Sequence, residues 1–415
     1  MNHENRPDVY FDLSEIYFSS SRRFPYYGIA RTVREVAIAL SSVEAEVGFA
    51  IYSPAHERFF EPSLQFRYDE DFTFPRASRP KQVRQGKGQN AADALLRRVA
   101  GSVVNAANRV RWAIYDRKAW APVDLGHKKL ISFARPKILS SYFRGKNKIG
   151  QFYPMVHDLI PLHDMSKMGS QKFAQNFLHD TQVVVQNATR LIANSHFTKG
   201  EIEAFAKKGC FGQSCPPIST VQLAHEFRFT QFSPARAPGS DPYFLCVGTQ
   251  TGRKNVEVIL RALLRLAQMG RAIPKIVLAG AKRKRTIAML RDDEFASVRA
   301  FIEFAINPSE AELSSLYSGA EALIIPSKME GWGLPLGEAL WKGTPGIAAN
   351  IPALKEVGGE TADYFDPDNA DELAEILNKF EDQAFRQQLK SRVRAAKPNL
   401  RTWKDVARET LAVVQ

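Results

Sequence analysis

The chain has 415 residues, of which 44% are hydrophobic, and this length is sufficient for two folded domains. Its net charge of +13 favours anionic partners such as nucleotides, nucleic acid or anionic lipid headgroups, without choosing among them. The three cysteines offer neither a disulfide framework nor a metal site. No apolar run approaches the roughly 18 to 20 residues of a spanning helix, and the N-terminus lacks an apolar signal core, so we expect a cytoplasmic protein.

Short apolar runs alternate with helical patterns along the first half of the chain. Strands are predicted at residues 9–13, 47–52, 130–133 and 152–157. A helical pattern opens at Gly28 and continues through Leu40, and a later apolar stretch leads to Asn194 and Ser195. This alternation predicts a parallel α/β sheet.

A long basic segment interrupts this pattern. Residues 73–90 are polar and rich in Pro, Gly and Gln, which is typical of an exposed loop. In residues 91–120, apolar side chains recur at helical spacing among several arginines, which predicts an amphipathic basic helix. Two interpretations stay open: the helix packs on its sheet with the arginines in water, or it lies on an anionic membrane surface at the inner face.

The second half of the chain repeats the α/β pattern after a polar segment at 235–241, which predicts an interdomain linker. Strands are predicted at residues 243–247, 275–279, 297–301 and 322–325. Helices are predicted at residues 256–268, 310–318, 371–379 and 402–414. The sequence therefore predicts an α/β protein of two Rossmann-like, doubly wound domains that face a central cleft.

The turn after the strand at 243–247 carries positive charge. Gly248 and Thr249 end this strand, and Arg253 and Lys254 stand where the next helix opens. Backbone N–H groups at a helix start favour phosphate oxygens, and an arginine grips a diphosphate through paired donors. An isolated Arg-Lys pair would more often be a surface feature, so the proposal of a diphosphate site depends on the next motif.

The most informative passage follows the strand at 322–325. Glu330 and Glu338 stand on either side of a loop that contains Gly331, Trp332, Gly333 and Leu334. The glycines let the backbone approach a ligand closely, and Pro335 suits the first position of a helix aimed at that ligand. A carboxylate in the first helical turn is also a common structural feature, so Glu338 gains a functional interpretation only together with Glu330.

Two of these segments resemble motifs of retaining family 4 glycosyltransferases, which have the GT-B fold. EGWGLPLGE, from Glu330 to Glu338, is similar to the E-x7-E motif, and VGTQTGRKN, which contains Arg253 and Lys254, is similar to the donor-phosphate segment. The resemblance implies that Glu330 lies by the transferred sugar and that Glu338 takes the ribose hydroxyls. It also implies that Arg253 and Lys254 hold the diphosphate, with no metal and no cofactor.

Other candidate donor contacts are less specific. Gly28, in GIAR, is similar to the family's glycine-rich turn, and His157, in VHDL, to its strand-end histidine, which would approach the donor sugar. Without the family, a histidine beside Asp158 is more often a local hydrogen-bonding residue. Asn194, Ser195 and His196, at the end of another strand, could contact the donor or the acceptor, and Ser195 could equally well cap the next helix. Trp332 could stack on a base or pack in its loop, and we favour packing.

The resemblance also implies a division of labour between domains. Residues 1–237 would form the acceptor-binding domain and residues 238–395 the nucleotide-sugar-binding domain, with the last helix, 396–415, returning to the first domain. The implied activity is transfer of a sugar, with retention, from a nucleoside-diphosphate sugar to a hydroxyl of a glycan or polyprenyl-linked acceptor in surface polysaccharide synthesis. GIAR and HDL are similar to segments of mannosyltransferases, which favours GDP-mannose. Residues 73–122 match nothing in the family.

Two other classes of function stay open at this point. A sugar-nucleotide epimerase would share the fold, whereas a phosphorylase would need a lysine-bound pyridoxal site that the sequence does not indicate. A non-catalytic basic binding protein is the other alternative, but the basic residues are scattered rather than interleaved with aromatics, which argues against nucleic acid. No Asp-x-Asp follows a strand, and Asp292 and Asp293 lie in a charged surface run, so no metal is expected.

Overall fold

The structure is a computed structural model, and it describes residues 7–19, 28–43, 46–53, 56–62, 103, 106, 107, 110, 120–143, 148–163, 171–212, 214–229, 242–248 and 251–415. The predicted loop at 73–90, most of the predicted basic helix, the linker core at 235–241 and Thr249 lie outside the described residues. Val103 and Val110 belong to the apolar stripe of that helix, and both are helical and mostly exposed. At these two positions the stripe does not face a core.

The first domain is built on an eight-stranded sheet. Its strands are β1 (Val9–Asp12), β2 (Val47–Ser53), β3 (Arg58–Pro62), β4 (Trp120–Val123), β5 (Lys129–Ser132), β6 (Gln151–Val156), β7 (Leu191–Ala193) and β8 (Ile218–Thr220), in the order β4-β3-β2-β1-β5-β6-β7-β8. In this sheet order, every pair of neighbouring strands from β2 and β1 onwards to β8 is parallel, as the alternation of strands and helices predicts.

One edge of this sheet departs from the prediction of an all-parallel sheet. β3 pairs antiparallel with β2, and β4 pairs antiparallel with β3. The connection from β2 to β3 is only four residues long, and a connection of that length can join antiparallel strands but not parallel ones. Phe59 and Phe60 of β3 are both buried, which shows that the edge hairpin has cover on both of its faces.

Helices cover the first sheet. They are α1 (Ser14–Ser19), α2 (Ile29–Leu40), α3 (Pro136–Leu139), α4 (Ile160–His163), α5 (Gln171–Asn187) and α6 (His196–Lys207). In α2 every residue from Ala30 to Leu40 is buried, including the charged side chains of Arg31, Arg34 and Glu35. A charged helical face is normally exposed to water, so its burial indicates that a second protein surface covers it.

That second surface belongs to the other domain, whose six-stranded sheet is entirely parallel. Its strands are β9 (Tyr243–Val247), β10 (Lys275–Gly280), β11 (Ile302–Ile306), β12 (Ala322–Ile325), β13 (Gly346–Ala349) and β14 (Ala362–Phe365), in the order β11-β10-β9-β12-β13-β14. The prediction of a strand at 297–301 is wrong, because residues 299–301 form a 3-10 turn and the strand begins at Ile302. β11 is a half-exposed edge strand, and the segment before it also contains apolar residues, so apolar content alone does not show which of the two is the strand.

The second half of the chain forms helices close to the four predicted ranges, and further helices between them. They are α7 (Val256–Gln268), α8 (Lys284–Leu290), α9 (Glu310–Gly319), α10 (Leu334–Trp341), α11 (Pro352–Gly358), α12 (Ala370–Lys379), α13 (Gln383–Ala396) and α14 (Trp403–Val414). α14 packs against α2 of the first domain, and the Trp403 N–H donates to the Glu226 carboxylate at 2.8 Å. The chain thus crosses between the domains a second time just before α14.

Candidate functional site

A cavity of about 560 Å³ opens between the two domains, at the carboxyl ends of the parallel strands of both sheets. This edge is where open α/β sheets bind ligands. Eleven predicted site residues line it: Gly28, His157, Gly248, Arg253, Lys254, Glu330, Gly331, Trp332, Gly333, Leu334 and Glu338. Ser195 does not line the cavity, although its neighbour Asn194 does, and Thr249 is outside the described residues.

Glu330 is the centre of a charge cluster on the second domain. Lys254 Nζ donates to its Oε1 at 2.5 Å, and Arg253 Nη1 donates to its Oε2 at 3.0 Å. Burial opposes ionisation of Glu330, but the two cations outweigh it and lower the pKa of Glu330 to about 2. Glu330 is therefore a carboxylate at neutral pH, and the cluster carries a net charge of +1 before any ligand is considered.

The turn that carries these cations is fixed by Asn255. Arg253 and Lys254 lie in a 3-10 turn, and α7 begins only at Val256, so the cations precede the helix rather than open it. Asn255 adopts a left-handed conformation (φ 54°), and its Nδ2 donates to the carbonyls of Pro326 (3.1 Å) and Pro367 (2.7 Å). These bonds connect the cationic turn to the end of β12, which precedes the Glu330 loop.

Glu338 is held from both domains. Its Oε2 accepts from the Tyr317 hydroxyl at 2.7 Å, and its Oε1 forms an ion pair with Arg31 of α2. Both Glu338 and Arg31 are more than nine-tenths buried. Glu338 is the fifth residue of α10 and not in its first turn, so the macrodipole explanation for a carboxylate there does not apply. Its partner from the opposite domain is the interaction that stabilises its charge.

A second interdomain ion pair lies on the same face of α2. Arg34 Nη2 donates to Glu310 at the start of α9, at 2.8 and 3.0 Å, and also to Glu35 at 2.7 Å. Glu35 in turn pairs with Arg228, which lies on the first crossing between the domains. All of these groups except Arg228 are buried, and none of them lines the cavity. The charged face of α2 is thus an interdomain interface.

His157 lies at the end of β6, as predicted, with its ring against the cavity. Its Nε2–H donates to the Phe133 carbonyl at 2.7 Å, which leaves Nδ1 as an acceptor in the neutral ring. Burial lowers the pKa of His157, and the bond to Phe133 opposes this only in part. Burial likewise raises the pKa of Asp158, with Arg253 acting against it. His157 is therefore poised as a neutral hydrogen-bonding group.

Ser195 is the N-cap of α6 and not a cavity residue. Its Oγ accepts from the Thr198 N–H at 2.9 Å and donates to the Gly331 carbonyl of the other domain at 2.7 Å. Of the two interpretations that the sequence left open, the structure shows the cap. The bond to Gly331 adds a function that sequence reasoning did not anticipate, because it connects the first domain to the loop between the two glutamates.

Gly331 and Gly333, in the loop between the two glutamates, pack closely against other residues of the protein as well as lining the cavity. A Cβ on Gly331 would overlap the His157 carbonyl oxygen of the first domain, so only glycine permits this approach. Gly333 has a φ of 118°, and a Cβ there would meet Leu354 at 2.5 Å. Trp332 is buried and packs edge-to-face on His225, with ring centroids 6.1 Å apart, which agrees with the packing interpretation.

Sequence reasoning missed several cavity residues. Arg31, Arg283 and Asn307 line the cavity but were not predicted as site residues, whereas Asn194 was considered only as one possible contact of donor or acceptor. Arg31 is part of the GIAR segment. From sequence alone, an arginine near the start of a helix is expected to be exposed to solvent, and the second domain that covers Arg31 is not visible in the local pattern. In the part of the chain that the structure describes, no three His, Cys, Asp or Glu side chains are grouped closely enough to hold a metal ion. The same part contains no helix with the length and apolarity needed to cross a membrane.

Comparison with known proteins agrees with this geometry. Residues 227–397 match the family model Glycosyl transferases group 1. O-antigen chain mannosyltransferase B of Escherichia coli is 26% identical over 225 residues, which are 52% of this chain and 57% of the relative. The chain therefore matches little more than half the length of this curated relative.

Solved structures share the complete architecture. Sucrose-phosphate synthase from Thermosynechococcus elongatus superposes with a TM-score of 0.67 at 18% identity, covering 99% of this chain and 98% of that one. HepE from Anabaena, in complex with UDP-glucose, superposes with a TM-score of 0.60 at 12% identity, covering 98% of both chains. At these identities the likeness shows the fold, which is the two-domain GT-B arrangement predicted from the sequence.

Proposed function

Because residues 227–397 form a Glycosyl transferases group 1 domain, we propose that this protein transfers a sugar from a nucleoside-diphosphate sugar to a hydroxyl acceptor. One observation carries the proposal: Arg253 and Lys254 converge with Glu330 on one cavity at the carboxyl ends of two parallel sheets. Cations of this kind bind a diphosphate, and a carboxylate beside them can contact the attached sugar.

The diphosphate would compete with Glu330 for the two cations. A nucleoside diphosphate carries more negative charge than one carboxylate, and Arg253 can bind it through two N–H donors at once. As the bond between sugar and diphosphate breaks, negative charge grows on the leaving diphosphate, and fixed cations stabilise that charge. Arg253 and Lys254 therefore act as electrostatic catalysts, and Glu330 positions them before the donor binds.

The other cavity residues are assigned to the sugar and to the ribose of the donor. We assign Glu330 and His157 to the transferred sugar, because they face the cavity from opposite domains. Glu338 is assigned to the ribose, whose hydroxyls can donate to a carboxylate. We propose a retaining reaction by front-face substitution, in which an oxygen of the leaving diphosphate accepts the acceptor's proton. Catalysis then depends on positioning and charge stabilisation rather than on a protein nucleophile.

We propose mannose as the sugar and GDP as its carrier. The similarity to O-antigen chain mannosyltransferase B supports mannose as the sugar and supports a role in surface polysaccharide synthesis. The acceptor would then be a glycan or a polyprenyl-linked oligosaccharide bound mainly by residues 1–237. Such acceptors lie at the inner face of a membrane, and the net charge of +13 together with the exposed Val103 and Val110 supports peripheral association there.

A thermal-shift panel tests the donor site directly. Ligand binding raises apparent stability by about 2.7 kcal/mol at a concentration of 100 Kd, which is readily seen as a shift in Tm. The panel consists of GDP, UDP, ADP, GDP-mannose and UDP-glucose, with wild type and Arg253→Ala side by side. We expect a shift with GDP and GDP-mannose that Arg253→Ala abolishes. No shift with any nucleotide, from folded protein, would instead support the non-catalytic binding protein.

A further inference from the structure

Asn194 is a buried polar residue whose side-chain oxygen has no hydrogen-bond partner among the described residues. It follows β7, lines the cavity and is only 3% exposed. Its Oδ1 is buried and has no hydrogen-bond partner in the part of the chain that the structure describes. Leaving a buried polar group unsatisfied costs about 1–3 kcal/mol, so native proteins seldom do so without a reason.

Residues around Asn194, in contrast to its side-chain oxygen, have hydrogen-bond partners that the structure shows. Ser195 and Thr198, in the same turn, both donate to the Gly331 carbonyl, at 2.7 and 3.2 Å. The backbone of Ala193 accepts from the Val221 N–H at 2.8 Å. This strand end is therefore well fixed, and the carboxamide of Asn194 is held in place by its neighbours without being used by them. Such a preorganised group suits ligand binding.

The position of Asn194 indicates which part of a donor it would meet. Thr198 Oγ1 donates to the His157 carbonyl at 3.5 Å, so the Asn194 turn lies beside the end of β6. Through Ser195 it also contacts Gly331, the residue after Glu330. His157 and Glu330 are the residues assigned above to the transferred sugar. The nucleotide end, by contrast, is assigned to Glu338.

The hydrogen-bonding chemistry of a carboxamide distinguishes between a sugar hydroxyl and a phosphate as the ligand group. Oδ1 needs a donor and Nδ2 needs an acceptor, and a sugar hydroxyl provides both. A phosphate at neutral pH offers only acceptors and would leave Oδ1 unsatisfied. We propose that Asn194 is a specificity-determining contact that binds a hydroxyl of the transferred sugar. The proposal rests on the proposed function, since it requires a sugar nucleotide in this cavity.

Calorimetric titration of GDP and GDP-mannose separates the sugar contact from the nucleotide contact. Asn194→Leu keeps the size of the side chain and removes both hydrogen-bonding atoms. We expect it to weaken GDP-mannose binding by about 10- to 100-fold, while GDP binding stays within about twofold of wild type. Slow hydrolysis of GDP-mannose, followed as GDP release without an acceptor, should fall in parallel. Asn194→Asp retains an acceptor atom and should recover part of the loss.

Deoxy analogues of GDP-mannose identify the hydroxyl. For one analogue, wild type should lose about as much affinity as Asn194→Leu loses with the complete donor, and the variant should lose nothing further. Ser195→Ala is the matched control, because it removes a cap and the bond to Gly331 from the same turn but leaves the carboxamide. This variant should lower Tm and weaken the binding of GDP and of GDP-mannose by the same factor.

Three outcomes would overturn the inference. Asn194→Leu could bind GDP-mannose as wild type does, or it could lose GDP and GDP-mannose affinity equally, which would show a scaffold role. Transfer to an acceptor could fall while hydrolysis is unchanged, which would assign Asn194 to the acceptor. Failure of the proposed function gives a different result, because wild type would then bind neither GDP nor any other nucleotide of the panel.

Discussion

The two glutamates of the cavity are eight residues apart in one loop and helix, yet their charges are stabilised in different ways. Glu330 pairs with Arg253 and Lys254 of its own domain, whereas Glu338 pairs with Arg31 of the opposite domain. The first cluster persists when the domains separate, because all of its members move together. The second exists only while the cleft is closed. One acidic motif therefore combines a fixed charge cluster with a contact that depends on domain closure.

This difference has a consequence for donor binding. If ribose hydroxyls bind Glu338, they reach a carboxylate whose two oxygens are held by Arg31 and Tyr317. Either Arg31 moves aside or the hydroxyl shares the carboxylate with it. The Nη1 of Arg31 is buried and makes no hydrogen bond to any described residue, so the guanidinium still has donors for an anionic ligand. Exchange at Glu338 would connect nucleotide binding with the contact between domains.

The largest effect is expected from Glu330→Gln. This change keeps the shape of the side chain and leaves Arg253 and Lys254 without their carboxylate, so the cations lose their fixed geometry and the sugar loses a contact. We expect turnover to fall by about 10²- to 10³-fold, as for other losses of preorganised electrostatics. The measurement is steady-state release of the nucleoside diphosphate, with circular dichroism as the folding control. Wild-type turnover in folded Glu330→Gln protein would exclude the assigned role.

Arg253→Ala should have the next largest effect. The diphosphate then loses a bidentate partner, and charge-assisted hydrogen bonds contribute about 1.5–3 kcal/mol, so nucleoside-diphosphate affinity should fall by about 10- to 100-fold. Arg283→Ala is a suitable comparison, since Arg283 lines the same cavity but is exposed and belongs to neither glutamate cluster. Equal losses in the two variants would indicate general attraction to a basic cavity instead of a specific contact.

The contact between Arg31 and Glu338 can be isolated by a double-mutant cycle. Removing one partner of a buried ion pair costs about 3–5 kcal/mol, because the other charge stays buried. Arg31→Gln and Glu338→Gln should each lower the free energy of unfolding, measured with urea, and the double variant should lose less than the sum of the two single losses. Arg34→Gln is the comparison on the same face of α2, since it breaks the pair with Glu310 without touching the cavity. Strict additivity would show that Arg31 and Glu338 do not interact in solution.

A decrease of pH below neutrality is expected to have the smallest effect on activity and stability. Because the folded pKa of His157 lies below its ordinary value of 6.5, the neutral ring favours the folded state fully above about pH 6.5. That contribution falls as pH decreases through the folded pKa. Activity and Tm should therefore decline together on the acidic side of neutrality, and His157→Gln should flatten this part of both profiles. Glu330 does not titrate there, since its pKa of about 2 keeps it ionised.

Much of the second domain was predictable from sequence. The helices at 256–268 and 371–379 and the strands at 243–247 and 322–325 agree with the structure to within a residue. Each combines a local periodic pattern with Gly, Pro or polar residues at its ends. The predicted strand at 297–301 failed because apolar content was taken as strand content. The 3-10 turn at 299–301, none of whose residues is buried, and the half-exposed edge strand after it both contain apolar residues, and periodicity does not separate them.

The sequence by itself determined the alternation of strands and helices and the positions of Arg253, Lys254, Glu330 and Glu338 in the segments that follow two strands. Those positions follow from local chemistry, since turns, caps and apolar runs depend on neighbouring residues. Only the tertiary structure decided which charges meet. The pairing of Arg31 with Glu338 joins residues 307 positions apart and depends on how two domains close, which local patterns do not encode. The unpartnered side-chain oxygen of Asn194 is visible for the same reason, because being without a partner is a property of the assembled cavity.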